Sequence, residues 1–186
     1  MSESRRRLPF LLVGAAAAAA DLVTKSWVFA AIPYQEPREV IRGFFYLKPH
    51  YNPAGPWSWG LGLPLEARRW MLPAISVIAV VVLVRILLRT DPADRLKALG
   101  FVLILGGAAG NLWDRARAAF DPGFAGVRDF LYFPTIVFGD AFPAFNLADT
   151  WITVGVVLVG WRLLREGGDP APGTTGATAA PDEARA

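Results

Sequence analysis

The chain has 186 residues, of which 54% are hydrophobic, and a net charge of +3. That balance is too apolar for an ordinary soluble domain and fits a small polytopic membrane protein. There is no cysteine and one histidine, His50. This removes thiol nucleophiles, disulfides, Ser-His-Asp chemistry of the usual kind and nearly all zinc sites, so any catalysis falls to Asp, Glu, Lys, Ser, Thr or Tyr. The basic residues surround apolar runs and form no stripe with interleaved aromatics, so nucleic acid is not an expected partner either.

A bilayer core takes roughly 20 mostly apolar helical residues, and four windows meet that requirement: about 8–32, 70–88, 96–113 and 148–164. The first opens "RRRLPFLLVGAAAAAA", like a secretory leader, but its apolar character continues past Asp21 through "WVFAAI". An uncleaved first helix is therefore expected. The segment 33–69 contains the strand-like "EVIRGFFYL" and the turn-rich "NPAGPWSWG", which predicts a small sheet lying on the membrane. Trp57, Trp59 and Trp70 suit an interfacial belt. Windows two and three are joined by a short connection dense in Arg85, Arg89, Arg95 and Lys97. With Arg5, Arg6 and Arg7 before the first window and Arg162 and Arg165 closing the fourth, this density places both termini in the cytoplasm. The loops 33–69 and 114–147 are then extracytoplasmic. The expected architecture is an all-α polytopic membrane protein, one domain over 1–166, with a small extracytoplasmic β-sheet region. The stretch 167–186 is Gly, Ala, Pro and Thr without apolar periodicity and is expected to be a disordered tail.

Ionisable groups inside membrane helices are costly and usually face a partner or a cavity. Asp21 and Lys25, four apart, share a helix face. They are either a self-neutralising pair that snorkels outward or one wall of a site. In "GGAAGNLWDRARAA", Gly106 and Gly110 have GxxxG spacing, which reads first as close helix packing. Asn111, Asp114 and Arg115 follow at the outer end of the third window. An Asp114–Arg115 clamp reads more readily as structural than as direct chemistry, and Arg115 suits a helix C-terminus. Asp129 stands in "GVRDF", in the second outer loop. Asn146 and Asp149 have the spacing of an N-cap and its third helical residue, which supports a reciprocal cap. Their company favours chemistry: Asp129 and Asp149 both sit at the outer boundary beside apolar segments, with no histidine or cysteine cluster competing. Two carboxylates sharing one proton can activate water while polarising a carbonyl.

Five blocks together resemble the lipoprotein signal peptidases, or signal peptidase II, of bacteria. They are "DLVTK" (Asp21–Lys25), "NPAGPWSWG" (Asn52–Gly60), "GGAAGNLWDR" (Gly106–Arg115), "VRDF" (Val127–Phe130) and "FNLAD" (Phe145–Asp149). The resemblance spans about residues 8–165. It implies four transmembrane helices with both termini cytoplasmic, in the bacterial cytoplasmic membrane, and an active site near the extracytoplasmic face. It also implies aspartic endopeptidase activity without metal or cofactor, removing the signal peptide of diacylglyceryl-modified prolipoproteins just before the lipid-bearing cysteine. Membrane lipid and prolipoprotein are then the partners, and a monomer is expected. The family's catalytic aspartates fall on Asp129 and Asp149. Its supporting residues fall on Asp21, Lys25, Asn52, Asn111, Asp114, Arg115 and Asn146. Two features depart from the pattern. A short insertion between Arg115 and Asp129 carries Asp121, which could be mistaken for the catalytic residue, and Ala54 stands where the family has glycine. The rival classes are an ion-coupled transporter and a non-catalytic membrane scaffold.

Overall fold

The computed structural model describes residues 3–54, 62–134, 136–137 and 140–166. Four helices dominate: α1 (Glu3–Ala31), α2 (Leu65–Arg89), α3 (Arg95–Phe120) and α4 (Leu147–Glu166). Each is long and apolar enough to cross a membrane. Their apolar residues point outward to a degree that no soluble bundle tolerates: Leu12, Val23, Ile78, Val157 and Leu164 are among the exposed large side chains. In lipid that exposure is satisfied, and the helix keeps every backbone polar group paired.

What holds such helices together is close packing of small residues. The third helix is central, packing against α1, α2 and α4. Gly100 and Gly155 sit against one another's backbones, and a side chain at Gly100 would run into Val159 and the Gly155 carbonyl. Gly106, read in sequence as a packing glycine, lies on the backbone of Gly14 in α1.

At one end of the bundle, β1 (Arg38–Ile41), β2 (Phe45–Asn52) and β3 (Val127–Tyr132) form an antiparallel sheet in that order. The pairing sets His50 opposite Asp129 and Tyr51 opposite Arg128, with a register irregularity between Leu47 and His50. A short hairpin, β4 (Ile136–Val137) with β5 (Asp140–Ala141), links β3 to α4. The sheet is seated on the bundle by Phe130, Val28 and Ile32, with Phe29, Leu47, Leu131 and Leu147 around them. A bridge between Leu131 and Phe145 ties the end of β3 to the start of α4. Asp129 and Asp149, twenty residues apart in sequence, thus come from a strand and a helix that are directly joined.

Each of the four windows falls on one of the four helices; α1 and α2 begin about five residues earlier, at Glu3 and Leu65, and the end of the third differs most instructively. The third continues past Trp113 to Phe120, so Asp114 and Arg115 lie within the helix rather than at its end. Arg115 is not a helix-terminal cation. Its Nη1 donates to Ser76 Oγ of α2 at 2.6 Å, and the α3 terminus is served by Arg69, whose Nε donates to the Ala119 carbonyl at 2.7 Å. Trp57, Trp59 and the stretch 167–186 lie outside the described residues.

Candidate active site

The polar residues singled out in sequence meet where the sheet caps the bundle. Asp21, Lys25, Asp114 and Asn146 are completely buried, and Asn111 and Asp129 nearly so. Asn52 and Asp149 are half-buried.

Asn146 is the hub. Its side-chain amide Nδ2 donates to Asp129 Oδ1 at 2.6 Å and to Asn111 Oδ1 at 3.1 Å. Its Oδ1 accepts from the Asp149 amide at 3.0 Å, while its own amide donates to Asp149 Oδ2 at 3.1 Å. The last two bonds are the reciprocal cap expected from spacing. The first two link the same residue to the other carboxylate, so the cap and the site are one construction. Asp129 also accepts from Asn52 Nδ2 at 3.2 Å, and Asp149 from Asn111 Nδ2 at 2.9 Å. Each carboxylate therefore receives two N–H donors and keeps an approach for other groups.

Behind them lies a charged layer. Lys25 Nζ sits 2.7 Å from Asp21 Oδ2, 3.4 Å from Asp114 Oδ2, and donates to Asn111 Oδ1 at 2.8 Å. The pair does not snorkel; it is sealed. Asp21 Oδ1 accepts from the Ala148 amide at 2.9 Å, so it caps α4 from a different helix. Asp21 fits there because Gly110 has no side chain: a Cβ at that position would collide with its carboxylate.

The clamp on Asp114 differs from the one read in sequence. Its partner is Arg128, not Arg115. Arg128 Nη2 reaches Asp114 Oδ1 at 2.8 Å, Nε makes a second contact at 3.1 Å, and the Arg128 backbone amide donates to Oδ2 at 3.0 Å. This bidentate fork pins β3 to α3. Successive strand residues point to opposite faces, so Arg128 turned inward leaves Asp129 turned toward the cavity. Arg128, Ser26, whose Oγ accepts from Arg128 Nη1 at 3.2 Å, and Ser76 were missed by sequence reasoning. Only the adjacency of Arg128 to Asp129 hinted at its role.

Burial is the main reason the Asp129 carboxyl is pushed up from its ordinary 3.8 to about 7, and the charge of Asp149 raises it further. The bonds from Asn52 and Asn146 oppose both effects without cancelling them. The inventory of charge agrees. Asp21, Asp114, Asp129 and Asp149 face Lys25, Arg128 and Arg115. One carboxylate is left over, and one proton neutralises the cluster.

Asp129 opens onto a cavity of about 410 Å³ that it shares with Lys48, His50, Asn52, Tyr132 and Pro143. Burial and the neighbouring Lys48 hold His50 below its ordinary value. Among the described residues no cluster of His, Cys, Asp and Glu has the arrangement of a metal site. Asp121 lies apart from the carboxylates. It is half-exposed, pairs with Arg117 at 3.5 Å, and accepts from the Gly123 amide in the turn that follows α3. The segment between Arg115 and Asp129 forms the last turns of α3, a turn and the start of β3.

Known proteins resemble this chain in sequence and in fold. The sequence profile of Signal peptidase (SPase) II matches residues 13–165. A lipoprotein signal peptidase of Ectopseudomonas mendocina (strain ymp) is 37% identical over 163 residues, covering 86% of this chain and 90% of the relative. One from Azoarcus sp. (strain BH72) is 38% identical over 160 residues, covering 86% and 85%. A solved bacterial membrane enzyme structure, at 1.9 Å resolution, superposes with a TM-score of 0.70 at 26% identity, covering 85% of this chain and 94% of the other.

Proposed function

The chain belongs to the signal peptidase II family, and from that premise we propose that it is an aspartic endopeptidase removing the signal peptide of diacylglyceryl-modified prolipoproteins. Asp129 and Asp149 are the catalytic pair. The observation that carries this reading is their shared hydrogen-bonding partner: Asn146 Nδ2 donates to Asp129 while its backbone amide donates to Asp149.

In this reading Asp129 holds the proton and Asp149 is the base. Asp149 takes a proton from water as the water oxygen attacks the carbonyl that precedes the lipidated cysteine. The Asp129 proton goes to the carbonyl oxygen, so no full negative charge develops there. The tetrahedral intermediate collapses as the C–N bond breaks. The proton held by Asp149 goes to the departing amine, and Asp129 recovers its own from the new carboxyl group. Asn146, Asn111 and Asn52 hold the carboxylates apart and in place. Lys25, Asp21, Asp114 and Arg115 support them through the buried charged layer. Half-burial of Asp149 leaves room for water.

The proposed peptidase domain covers 1–166 and acts as a monomer. Both termini lie in the cytoplasm and the site lies near the extracytoplasmic face. The support is electrostatic. Arg89, Lys97 and Arg162 come together at the end of the bundle opposite the sheet, and short basic connections are retained in the cytoplasm. No internal repeat favours a transporter.

The experiment is incubation of the purified full chain in detergent with a diacylglyceryl prolipoprotein, read by mass spectrometry. The expected products are the free signal peptide and a chain beginning at the lipidated cysteine. An intact precursor, with an active relative cleaving it in parallel, would refute the reading.

A further inference from the structure

We infer that a second cavity, between the first turn of α2 and the last turns of α3, binds the phosphate of a membrane phospholipid. This cavity, of about 340 Å³, lies across Asn52 from the one that holds Asp129. Arg68, Arg69 and Arg115 line it beside one carboxylate, the exposed Glu66. Arg69 is held by the Ala119 carbonyl, and Arg115 by Ser76 and the charges of Asp149, Asp129 and Asp114, which leaves Arg68 unmatched among the described residues. Nε and Nη1 of Arg68 and Nε of Arg115 are buried with no hydrogen-bond partner among the described residues. Leaving buried donors on a charged group unmatched is expensive. Three such donors, two of them on Arg68, at the wall of one cavity call for an anion.

The geometry of the guanidinium fork suits the paired oxygens of a phosphate. The rest of the wall names the source. It is apolar, with Leu65, Leu72 and Pro73 from α2, and Leu65 is itself exposed on the face that meets lipid. The neighbouring ring pair Trp70–Phe120, edge to face at 5.4 Å, is exposed at the same level and marks the headgroup boundary. A phospholipid whose phosphate enters among the arginines lays its glycerol and acyl portion along that apolar wall. Basic pockets between membrane helices bind lipid headgroups in this way. The site shares Asn52 and Arg115 with the proposed peptidase site, and Arg68, which touches neither carboxylate, tests it by binding alone.

The test is thermal unfolding of the purified full chain in detergent, titrated with dioleoylphosphatidylglycerol, with dioleoylglycerol (the same chains without phosphate), or with inorganic phosphate. Phosphatidylglycerol should raise the Tm saturably, and dioleoylglycerol should not. The half-saturating concentration of phosphatidylglycerol should rise about tenfold in Arg68→Gln, the expected loss of a charged hydrogen-bonding group. Arg68→Lys, which keeps the charge and loses the fork, should fall between, and serves alone if Arg68→Gln does not fold. Equal titrations for wild type and the Arg68 variants would overturn the proposal. So would an equal response to dioleoylglycerol. A full response to inorganic phosphate would overturn the assignment to lipid.

Discussion

The two ends of the helical bundle solve the problem of charge in opposite ways. At the end away from the sheet, Lys97 pairs with Glu166 at 3.2 Å, and Arg162 with Asp94 at 3.0 Å. These side chains remain in contact with solvent: Lys97 is 26% exposed and Glu166 37%. At the sheet end, Lys25, Asp21 and Asp114 form ion pairs of similar length with no exposure. Distance alone does not separate the two sets. Burial does. An exposed pair gains little and costs little. A buried one stands only because every partner is present, and removing one leaves a charge with nothing to answer it. The buried set is therefore the expensive one, and expensive polar groups inside a membrane protein mark function.

The contrast can be broken most forcefully at Lys25. Replacing it with methionine strands Asp21 without a cation and leaves Asp114 with Arg128 alone, and the expected loss is about 3–5 kcal/mol of stability. Reversible unfolding in detergent measures this. A loss below about 1 kcal/mol would place the pair in the exposed class.

Next in size is the effect of pH on Asp129. Its carboxyl is raised from 3.8 to about 7 in the folded chain. Between those values the folded state holds a proton that the unfolded state has released. Its contribution to stability is thus complete at low pH and is lost as pH rises through about 7, with a slope of at most about 1.4 kcal/mol per pH unit. Turnover that needs this proton should fall about tenfold per unit above pH 7, or about a hundredfold at pH 9. The check is kcat/KM against pH beside stability against pH. Asp129→Asn should flatten the stability profile over the same range, and an unchanged profile would remove Asp129 as the proton's holder.

The smallest effects belong to the exposed charges. Lys97→Ala should cost about 1 kcal/mol or less. Asp121→Asn, in the half-exposed Arg117 pair, should change neither stability nor cleavage measurably. A dead Asp121→Asn beside an active Asp129→Asn would show that the insertion, and not β3, carries the site.

Much of this was legible beforehand because the signals were local. The four spans are apolar runs, and the Asn146–Asp149 cap has fixed helical spacing. The end of α3 was misplaced for a physical reason. Asp114, Arg115 and Arg117 look like the close of an apolar window, yet the helix continues because Asp114 and Arg115 find partners on β3 and α2. Those partnerships are tertiary. Nothing in local spacing joins Arg128 to Asp114, fourteen residues away across a helix end and a turn, or Arg115 to Ser76. The proximity of Asp129 to Asn146 likewise depends on the bridge between Leu131 and Phe145. The order of the motif blocks pointed to it, and hydrophobic periodicity could not.

The central claim is that the α4 cap is half of a catalytic pair, and Asp149→Asn tests it most directly. Asparagine also serves at helix starts, so as a cap the change should cost about 1 kcal/mol or less. The measurement is cleavage of a lipidated prolipoprotein alongside thermal stability in detergent, for Asp149→Asn, Asp129→Asn and the double variant. The account predicts near-native stability for Asp149→Asn, cleavage lower by several orders of magnitude in each single variant, and a double variant hardly worse than either, as groups sharing one chemical step behave. A stable Asp149→Asn protein that cleaves at the native rate would contradict it.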